Sequence, residues 1–356
     1  MTSIIALLVN TSITLHDDIS VAHPSETGNT VAITITSAVV LAVVLIYLIQ
    51  IKKVDDINMV IKDAEEFFAQ IYDPTVLEID WSVFLKNFTI SILLNGSLMS
   101  YMTVSRLEFL SPRAERDFSL IFFYSIPNII LCVMMSVFFC GLSILEKYFC
   151  ILNTSLRNIA NDETFNPFVI VKHKPYQRMK RFCLLSDKID TISGLHFKLC
   201  KLTRDFCDAF AMQFVVCNSF TVLLWIFKLF LDYLIIRSSI VKKRFFVVPF
   251  YIWISSLNIA TSIVDLSAVA GVCSKIKTAY KETENLIHKM CNVPNADNRF
   301  IKSIEILSIQ LTQTKIKLSP CGLYDIDHTL VFSIVSAAFS YLIILVQFDL
   351  GDLKAK

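Results

Sequence analysis

The residue types that carry out enzyme or metal chemistry are scattered through this 356-residue sequence rather than grouped. The sequence contains no P-loop, no Rossmann glycine fingerprint, no HExxH and no GxSxG, the spacings that assemble phosphate-binding amides, zinc ligands or a nucleophile. The ten cysteines form no CxxC pair, and none of the six histidines lies at metal-ligand spacing from a cysteine. We therefore expect no catalytic residue, no metal site and no cofactor, and the protein is not predicted to be an enzyme.

Polar side chains share one helical face in the last apolar run of the chain, residues 329–348. Ser340, Ile344 and Gln347 are separated by four and three residues, so they project from the same side of an α-helix. A hydroxyl and an amide placed in this way can contact water only if the helix lies beside an aqueous path. The function of these residues therefore depends on the kind of element that the run forms.

The composition indicates that the apolar runs cross a membrane. Hydrophobic residues make up 54% of the chain and charged residues 18%, against about 45–50% and about 25% in soluble domains. A helix needs about 20 apolar residues to cross the hydrocarbon, and six runs reach that length: 31–51, 83–104, 118–143, 209–231, 245–264 and 329–348. The sequence predicts an all-α, multi-pass helical protein of the cell membrane with six clear spans, surrounded by lipid bilayer.

The first 30 residues are predicted to form an outer N-terminal tail. Residues 1–15 are apolar but short, and we interpret them as the remnant of a truncated first helix. A signal peptide is the alternative, although no Lys or Arg precedes the apolar stretch. With this end outside, the cytosolic segments hold 22 Lys and Arg residues and the outer segments 10, which agrees with the positive-inside rule. The net charge of +2 gives no reason to expect a nucleic-acid partner.

Two long segments between spans are predicted to be cytosolic helices. Along 182–206, apolar residues recur at three- and four-residue spacing, which is typical of a helix with one buried face. We expect such helices to extend the spans and to pack on one another, with surface-lying amphipathic linkers as the alternative. The predicted organisation is an outer tail (1–30), a transmembrane region (31–272) containing the cytosolic segment 143–206, cytosolic anchor-like helices (273–328), a last span (329–348) and a C-terminal tail (349–356).

Residues 321–348 read CGLYDIDHTLVFSIVSAAFSYLIILVQF. This string resembles the C-terminal signature of the insect gustatory receptors, TYhhhhhQF with h hydrophobic, which follows a Gly-Leu-Phe-Asp-like stretch. Tyr341, five apolar residues, Gln347 and Phe348 match the signature, and Ser340 replaces its threonine. Gly322 and Asp327 fit as they stand, whereas Tyr324 occupies a position where the family usually has Phe. In this register the six spans correspond to helices two to seven of the family.

The resemblance implies the seven-helix insect chemoreceptor fold and a ligand-gated, non-selective cation channel built as a tetramer, either homomeric or with other gustatory receptor subunits. The last helix then lines the pore, and the cytosolic helices form the anchor of the tetramer. In that arrangement Gln347 is expected to replace water around a passing cation, and Ile344, with Phe348 nearby, to close the pore by dewetting. Ser340 shares the pore face, and Tyr341 is expected to pack between helices. The alternative role of Gln347 is to anchor the helix end at the lipid headgroups.

The resemblance also implies a site for a small-molecule tastant among the outer halves of the spans. Five aromatic residues are expected there, although each is equally well explained by packing or by an interfacial belt: Tyr101, Tyr124, Trp225, Tyr251 and Trp253. Leu342 stands where sugar-type members tend to carry Glu, which argues against the sugar group of the family and leaves the bitter, fructose-like and orphan classes open.

Three other classes of protein fit parts of the pattern. A G-protein-coupled receptor would have seven spans, but no DRY-like or NPxxY-like string occurs. A transporter would show repeated halves and charges at mid-membrane, whereas the sequence has no internal repeat and Lys86, Lys228 and Asp265 are predicted near span ends. A truncated, non-functional chemoreceptor product is the third, because the first helix is short.

Overall fold

The computed structural model describes residues 26–71, 118–161, 175–242, 248–291 and 296–355. Within these ranges the chain is helical apart from short turns, and it contains no strand. The helices are α1 (Glu26–Lys52), α2 (Val54–Ile71), α3 (Phe118–Ala160), α4 (Pro175–Lys242), α5 (Val248–Cys291), α6 (Asn298–Gln313) and α7 (His328–Ala355), with a 3-10 turn at Pro320–Gly322. The predicted all-α fold is confirmed.

Four of these helices, α3, α4, α5 and α7, are long and apolar enough to cross a bilayer. Helix α1 adds a shorter apolar stretch, Val40–Lys52. Together the five helices contain all or most of five predicted spans, 31–51, 118–143, 209–231, 245–264 and 329–348. The predicted span at 83–104, like the tail 1–25, lies outside the described residues.

Helices α3, α4 and α5 are much longer than a membrane is thick. Helix α4 has 68 residues, which at 1.5 Å per residue gives about 100 Å, more than three times the roughly 30 Å of hydrocarbon. Helices α3 and α5 have 43 and 44 residues. All three are therefore long enough to continue beyond the membrane. That the segments 143–206 and 273–328 are cytosolic stays a prediction. We call the part beyond the membrane the distal bundle: α2, α6, and residues 142–160, 176–211 and 269–291.

Helix α4 begins at Pro175, where the fixed φ of proline suits the first helical turn and the missing N–H costs nothing. The apolar stripe predicted over 182–206 faces the core of the distal bundle. Five of its members are buried, namely Leu185, Ile189, Ile192, Leu199 and Leu202. Leu184, which also fits the spacing, is 55% exposed, so the buried face is narrower than the pattern indicates.

Apolar side chains and buried hydrogen bonds hold the distal bundle together. Phe149, Phe182 and Phe300 are essentially inaccessible and belong to one core cluster contributed by α3, α4 and α6. The hydroxyls of Ser186 in α4 and Ser303 in α6 lie 2.6 Å apart in this core. These contacts fix α6, the element just before the last span, against α4.

The membrane part of the chain has a smaller core and one thinly covered helix. Ala42, Ile46, Leu131, Cys217 and Leu224 form a buried cluster shared by α1, α3 and α4. Helix α7 contacts α4 and α5, yet only 11% of its most apolar stretch is buried. Most of the surface of α7 thus faces away from the described part of its own chain.

Candidate functional site

A tight turn leads the chain into α7. Gly322 has a φ of 68° and Cys321 a φ of 52°, in a region that glycine adopts freely and other residues adopt with strain. The amide of Gly322 donates to the carbonyl of Ser319 (3.2 Å), and that of Ile326 to Leu318 (3.1 Å). Gly322, one of the signature positions, therefore lies where a side chain would be disfavoured.

Asp327, another signature position, caps the first turn of α7. Its carboxylate accepts hydrogen bonds from the Leu330 amide (3.0 Å) and the Thr329 hydroxyl (2.6 Å). These two donors hold the pKa of Asp327 below its ordinary value. Because the first amides of a helix have no partner within it, the acceptor fixes where α7 begins.

Tyr324 attaches the base of α7 to α4. Its half-buried ring packs against the main core, and its side chain is hydrogen-bonded with that of Asn218 in α4. A phenylalanine at this position, which the gustatory signature usually has, would keep the packing and lose the hydrogen bond. The tyrosine that replaces the usual phenylalanine at position 324 therefore has a hydrogen-bond partner, Asn218.

The opposite end of α7 is attached to α4 by charge. Asp349 accepts a hydrogen bond from Tyr233 (3.0 Å) and forms an ion pair with Arg237. The Asp349 side chain is only 11% exposed. Asp349 directly follows Phe348 in the sequence. The carboxylate at this end of the helix is therefore compensated by a cation of the same chain.

The two attachments bracket the membrane-crossing part of α4. Between Asn218 and Arg237 the helix rises about 28 Å, close to the thickness of the hydrocarbon. Lys228 is 6% exposed and lies about midway between the two attachments. The expectation that Lys228 lies near a span end stays a prediction.

One face of α7 carries a continuous row of exposed, mostly polar residues. They follow each other at three- and four-residue spacing, and we call them the polar stripe: Thr329, Ser333, Ser336, Ser340, Ile344 and Gln347. The sequence analysis identified the last three of these residues. Thr329, Ser333 and Ser336 follow the same three- and four-residue spacing. They could have been predicted by extending that spacing from Ser340 towards the start of the helix.

The hydroxyls of the polar stripe leave their oxygen lone pairs available. Ser333 donates to the carbonyl of Thr329 (2.8 Å), and Ser340 to that of Ser336 (2.9 Å). A serine hydroxyl that donates its hydrogen bond to a backbone carbonyl of the helix can still accept a hydrogen bond from a group outside the helix. The stripe therefore presents oxygen atoms outward, as water or a cation requires.

The apolar residues predicted to accompany the pore face are also exposed. Ile344 is 45% exposed and Phe348 71%. Tyr341, predicted to pack between helices, is 58% exposed, so any helix that covers it is not in the described part of its own chain.

Of the five predicted ligand-pocket residues, the structure describes the side chains of two, Trp225 and Trp253. Trp225 is 2% exposed and lines a small cavity between α3, α4 and α5. Trp253 is 64% exposed on α5. Tyr124 and Tyr251 belong to α3 and α5 by backbone position, and Tyr101 lies outside the described residues. The pocket stays a prediction.

Metal-binding clusters are absent among the residues that the structure describes, where no three His, Cys, Asp or Glu side chains converge. The cysteines described there are free thiols. The geometry thus defines a multi-pass helical membrane protein whose last span is fixed at both ends and faces outward along a polar stripe.

The comparison with known proteins identifies the family. The profile of the 7tm Chemosensory receptor family matches residues 1–352, and the chain belongs to this family. Its members are receptors and not enzymes, as the lack of catalytic motifs predicts.

Curated relatives agree with this assignment. Gustatory receptor 94a of Drosophila melanogaster is 25% identical over 180 residues, covering 50% of this chain and 43% of its own length. Gustatory receptor 28b is 25% identical over 285 residues, covering 77% and 58%. The gustatory receptor for bitter taste 66a is 23% identical over 179 residues, covering 48% and 32%. The chain thus spans about half the length of the curated relatives it matches.

A solved structure shares the fold. The insect olfactory receptor OR5 from Machilis hrabei, solved in complex with eugenol, superposes with a TM-score of 0.60 at 10% identity. The match covers 96% of this chain and 88% of OR5. The predicted insect chemoreceptor fold is confirmed by this likeness.

Proposed function

We propose that this chemosensory receptor is a subunit of a ligand-gated, non-selective cation channel with α7 lining the pore. The observation that carries the proposal is the polar stripe on the least buried span. The serine hydroxyls donate to their own helix, but facing lipid their outward oxygens and the Gln347 amide would find no partner, which disfavours such a face against hydrocarbon. The same groups beside water are satisfied, and their oxygens can stand in for the hydration shell of a cation.

The order of residues along the stripe suggests a gate. Ser340 and Gln347 provide oxygen atoms, and between them lies Ile344, a branched apolar side chain with no polar group. A ring of such side chains narrows a pore and expels water from it when closed. Phe348, beside Gln347, is placed to enlarge this ring at the end of the helix.

A pore requires several copies of α7, because one helix has a single polar stripe. Closed rings of identical or related subunits are the usual way to enclose a central axis. We infer a tetramer, either homomeric or formed with other gustatory receptor subunits, in which the polar stripes face the axis. The exposed aromatic residues Phe332, Phe339 and Tyr341 then lie against neighbouring subunits or lipid.

The ligand is proposed to be a small-molecule tastant. A relative is described as a receptor for bitter taste, and Leu342 departs from the Glu of sugar-type members. We therefore favour a non-sugar, largely apolar ligand, bound among the outer halves of the spans near Tyr101, Tyr124, Tyr251 and Trp253.

The test is electrical recording from cells that express the chain alone and with other gustatory receptor subunits. Gln347→Ala is expected to change the reversal potential in mixed salts, and a current evoked by tastants should persist when G proteins are blocked. In Ser340→Cys, a charged methanethiosulfonate should reduce the current. Phe339→Cys is the control, since it points about 100° away on the same turn. Loss of all current under G-protein blockade, or equal effects on both cysteines, would contradict the proposal.

A further inference from the structure

A small cavity lies among α3, α4 and α5, in the stretch of α4 that crosses the membrane. Its volume is about 60 Å³. Apolar side chains form most of the wall, and six residues bring hydrogen-bonding groups to it: Asn218, Thr221, Trp225, Lys228, Ser262 and Asp265. This concentration of polar groups is unusual inside a membrane, where each of them must be satisfied within the protein.

One donor at this cavity, the indole N–H of Trp225, has no acceptor in the part of the chain that the structure describes. Trp225 is 2% exposed, so this group cannot turn to bulk solvent. Lys228 and Asp265 each have an interaction of their own, and the Asn218 side chain is hydrogen-bonded with that of Tyr324. The wall therefore offers one buried donor beside polar groups that are already engaged.

We propose that the cavity is a hydrated site that holds a small cluster of water molecules within the membrane. A water molecule occupies about 30 Å³ in the liquid, so the cavity accommodates about two. A water oxygen can accept from Trp225 while its protons go to carboxylate or hydroxyl oxygens such as those of Asp265 and Ser262. The volume is well below the several hundred Å³ typical of organic ligands.

Water in this position would also lower the cost of burying ionisable side chains in a span. Lys228 and Asp265 both line the cavity. Removing charged groups from water is costly even when they are close to each other, and local water lowers that cost. The site adjoins the base of α7, since Asn218 contacts Tyr324 on the other side.

The site can be tested on the unmodified full-length chain in lipid nanodiscs by hydroxyl-radical footprinting, because radicals generated from bound water oxidise the side chains next to it. The expected result is that Trp225 is oxidised about tenfold faster than Tyr148, after correction for the intrinsic reactivity of each ring. Tyr148 is equally buried, at 2% exposed, and belongs to the same core cluster, but it does not line the cavity. Equal protection of Trp225 and Tyr148 would overturn the proposal.

A second measurement uses thiol chemistry, which requires a thiolate and hence water. Thr221→Cys places a thiol on the cavity wall, and Ser219→Cys places one on the outward face of the same helix. With 2-aminoethyl methanethiosulfonate, whose adduct adds four heavy atoms, Thr221→Cys should react about tenfold faster. Peptide mass spectrometry separates both sites from the native cysteines. Faster reaction at Ser219→Cys would count against a hydrated cavity. Neither measurement requires an ionic current, so the hydrated cavity can be tested independently of the proposed channel function.

Discussion

At the scale of single residues, Arg237 and Asp349 determine how the far end of α7 is held. The Asp349 carboxylate is mostly buried and accepts from both Arg237 and Tyr233. Charge-assisted hydrogen bonds of this kind are stronger than neutral ones. Removing Arg237 leaves a nearly buried carboxylate with only Tyr233, whereas removing both charges leaves no unpaired ion.

We therefore expect Arg237→Gln and Asp349→Asn to be coupled. Each single change should lower the apparent free energy of unfolding by about 1–2 kcal/mol, and the double variant by little more than one of them. Thermal denaturation of the four proteins in one detergent measures the coupling. Arg157→Gln is the control, because its partner Glu282 is 38% exposed and Arg157 is 51% exposed, where pairs contribute about 0–1 kcal/mol. Additive effects at Arg237 and Asp349 would show that the two do not act together.

His196 is a buried ionisable residue in the distal bundle. Its ring lies 5.6 Å from that of Phe149 and 5.7 Å from that of Tyr280, centroid to centroid, and Nδ1 is 3.5 Å from the Cys200 sulfur. Burial lowers the pKa of His196 from 6.5 to about 4, because the apolar surroundings disfavour the imidazolium. The unfolded chain therefore takes up this proton more readily than the folded one.

Acid is expected to destabilise the protein through His196. The contribution of neutral His196 to the free energy of unfolding is fully present above pH 6.5. It is lost as the pH falls from 6.5 towards 4, because the unfolded chain binds the proton more tightly than the folded chain. Between pH 7.5 and 5.0 the loss is about 2 kcal/mol. His196→Phe keeps an aromatic ring and removes the titration, so its thermal stability should change less over this range than that of the wild type. Parallel pH profiles for the two proteins would rule out His196 as the cause.

At the scale of elements, α3 and α4 are in direct contact where Gly141 faces Phe206. A Cβ atom added to Gly141 would overlap the end of the Phe206 ring. The ring cannot withdraw freely, since it stacks on Phe138 (5.7 Å between centroids) and packs on Phe210 (4.9 Å). The absence of a side chain at Gly141 thus allows α3 and α4 to pack closely at this position.

Gly141→Ala is accordingly expected to destabilise the protein by about 1–3 kcal/mol through overpacking. Gly271→Ala in α5 should instead be neutral or stabilising by about 0.5–1 kcal/mol, because nothing lies within 4 Å of its added Cβ and a helical glycine costs backbone entropy. Phe206→Leu should rescue Gly141→Ala in part. Thermal unfolding measures all three, and equal stability of the two alanine variants would refute the packing argument.

The elements differ in how far their sequences predict them. The hydropathy runs and the 3.6-residue stripe over 182–206 were sufficient to predict that the described apolar segments and the distal segments are helical, because both patterns are local. The burial of Lys228 was not predicted, since it depends on side chains of α3 and α5. The ion pair of Arg237 with Asp349 joins residues 112 positions apart and depends on the register of α4 against α7. Thr329, Ser333 and Ser336 of the polar stripe follow the same spacing, but the sequence analysis did not identify them.

At the scale of the whole molecule, the apolar surface of α7 exceeds what one chain can cover. Phe332 is 75% exposed, Phe339 53% and Phe348 71%, on the same helix that carries the polar stripe. A polar face is unfavourable on a helix surrounded by lipid on all sides, and exposed phenylalanines are unfavourable on a helix surrounded by water. Both faces are satisfied together when several copies of α7 enclose an aqueous axis.

Assembly is therefore expected to accompany the channel function. Native mass spectrometry of the chain released from nanodiscs should show a tetramer of about 160 kDa, built from the 40.5 kDa chain. Mild oxidation of Ser340→Cys should link neighbouring chains through the axis, whereas Ser219→Cys on the outward face of α4 should stay unlinked. If the chain assembles only with other gustatory receptor subunits, the tetrameric mass should appear on coexpression. A monomer under both conditions, with Ser340→Cys unlinked, would contradict the pore assigned to α7, because a single polar stripe cannot enclose an ion path.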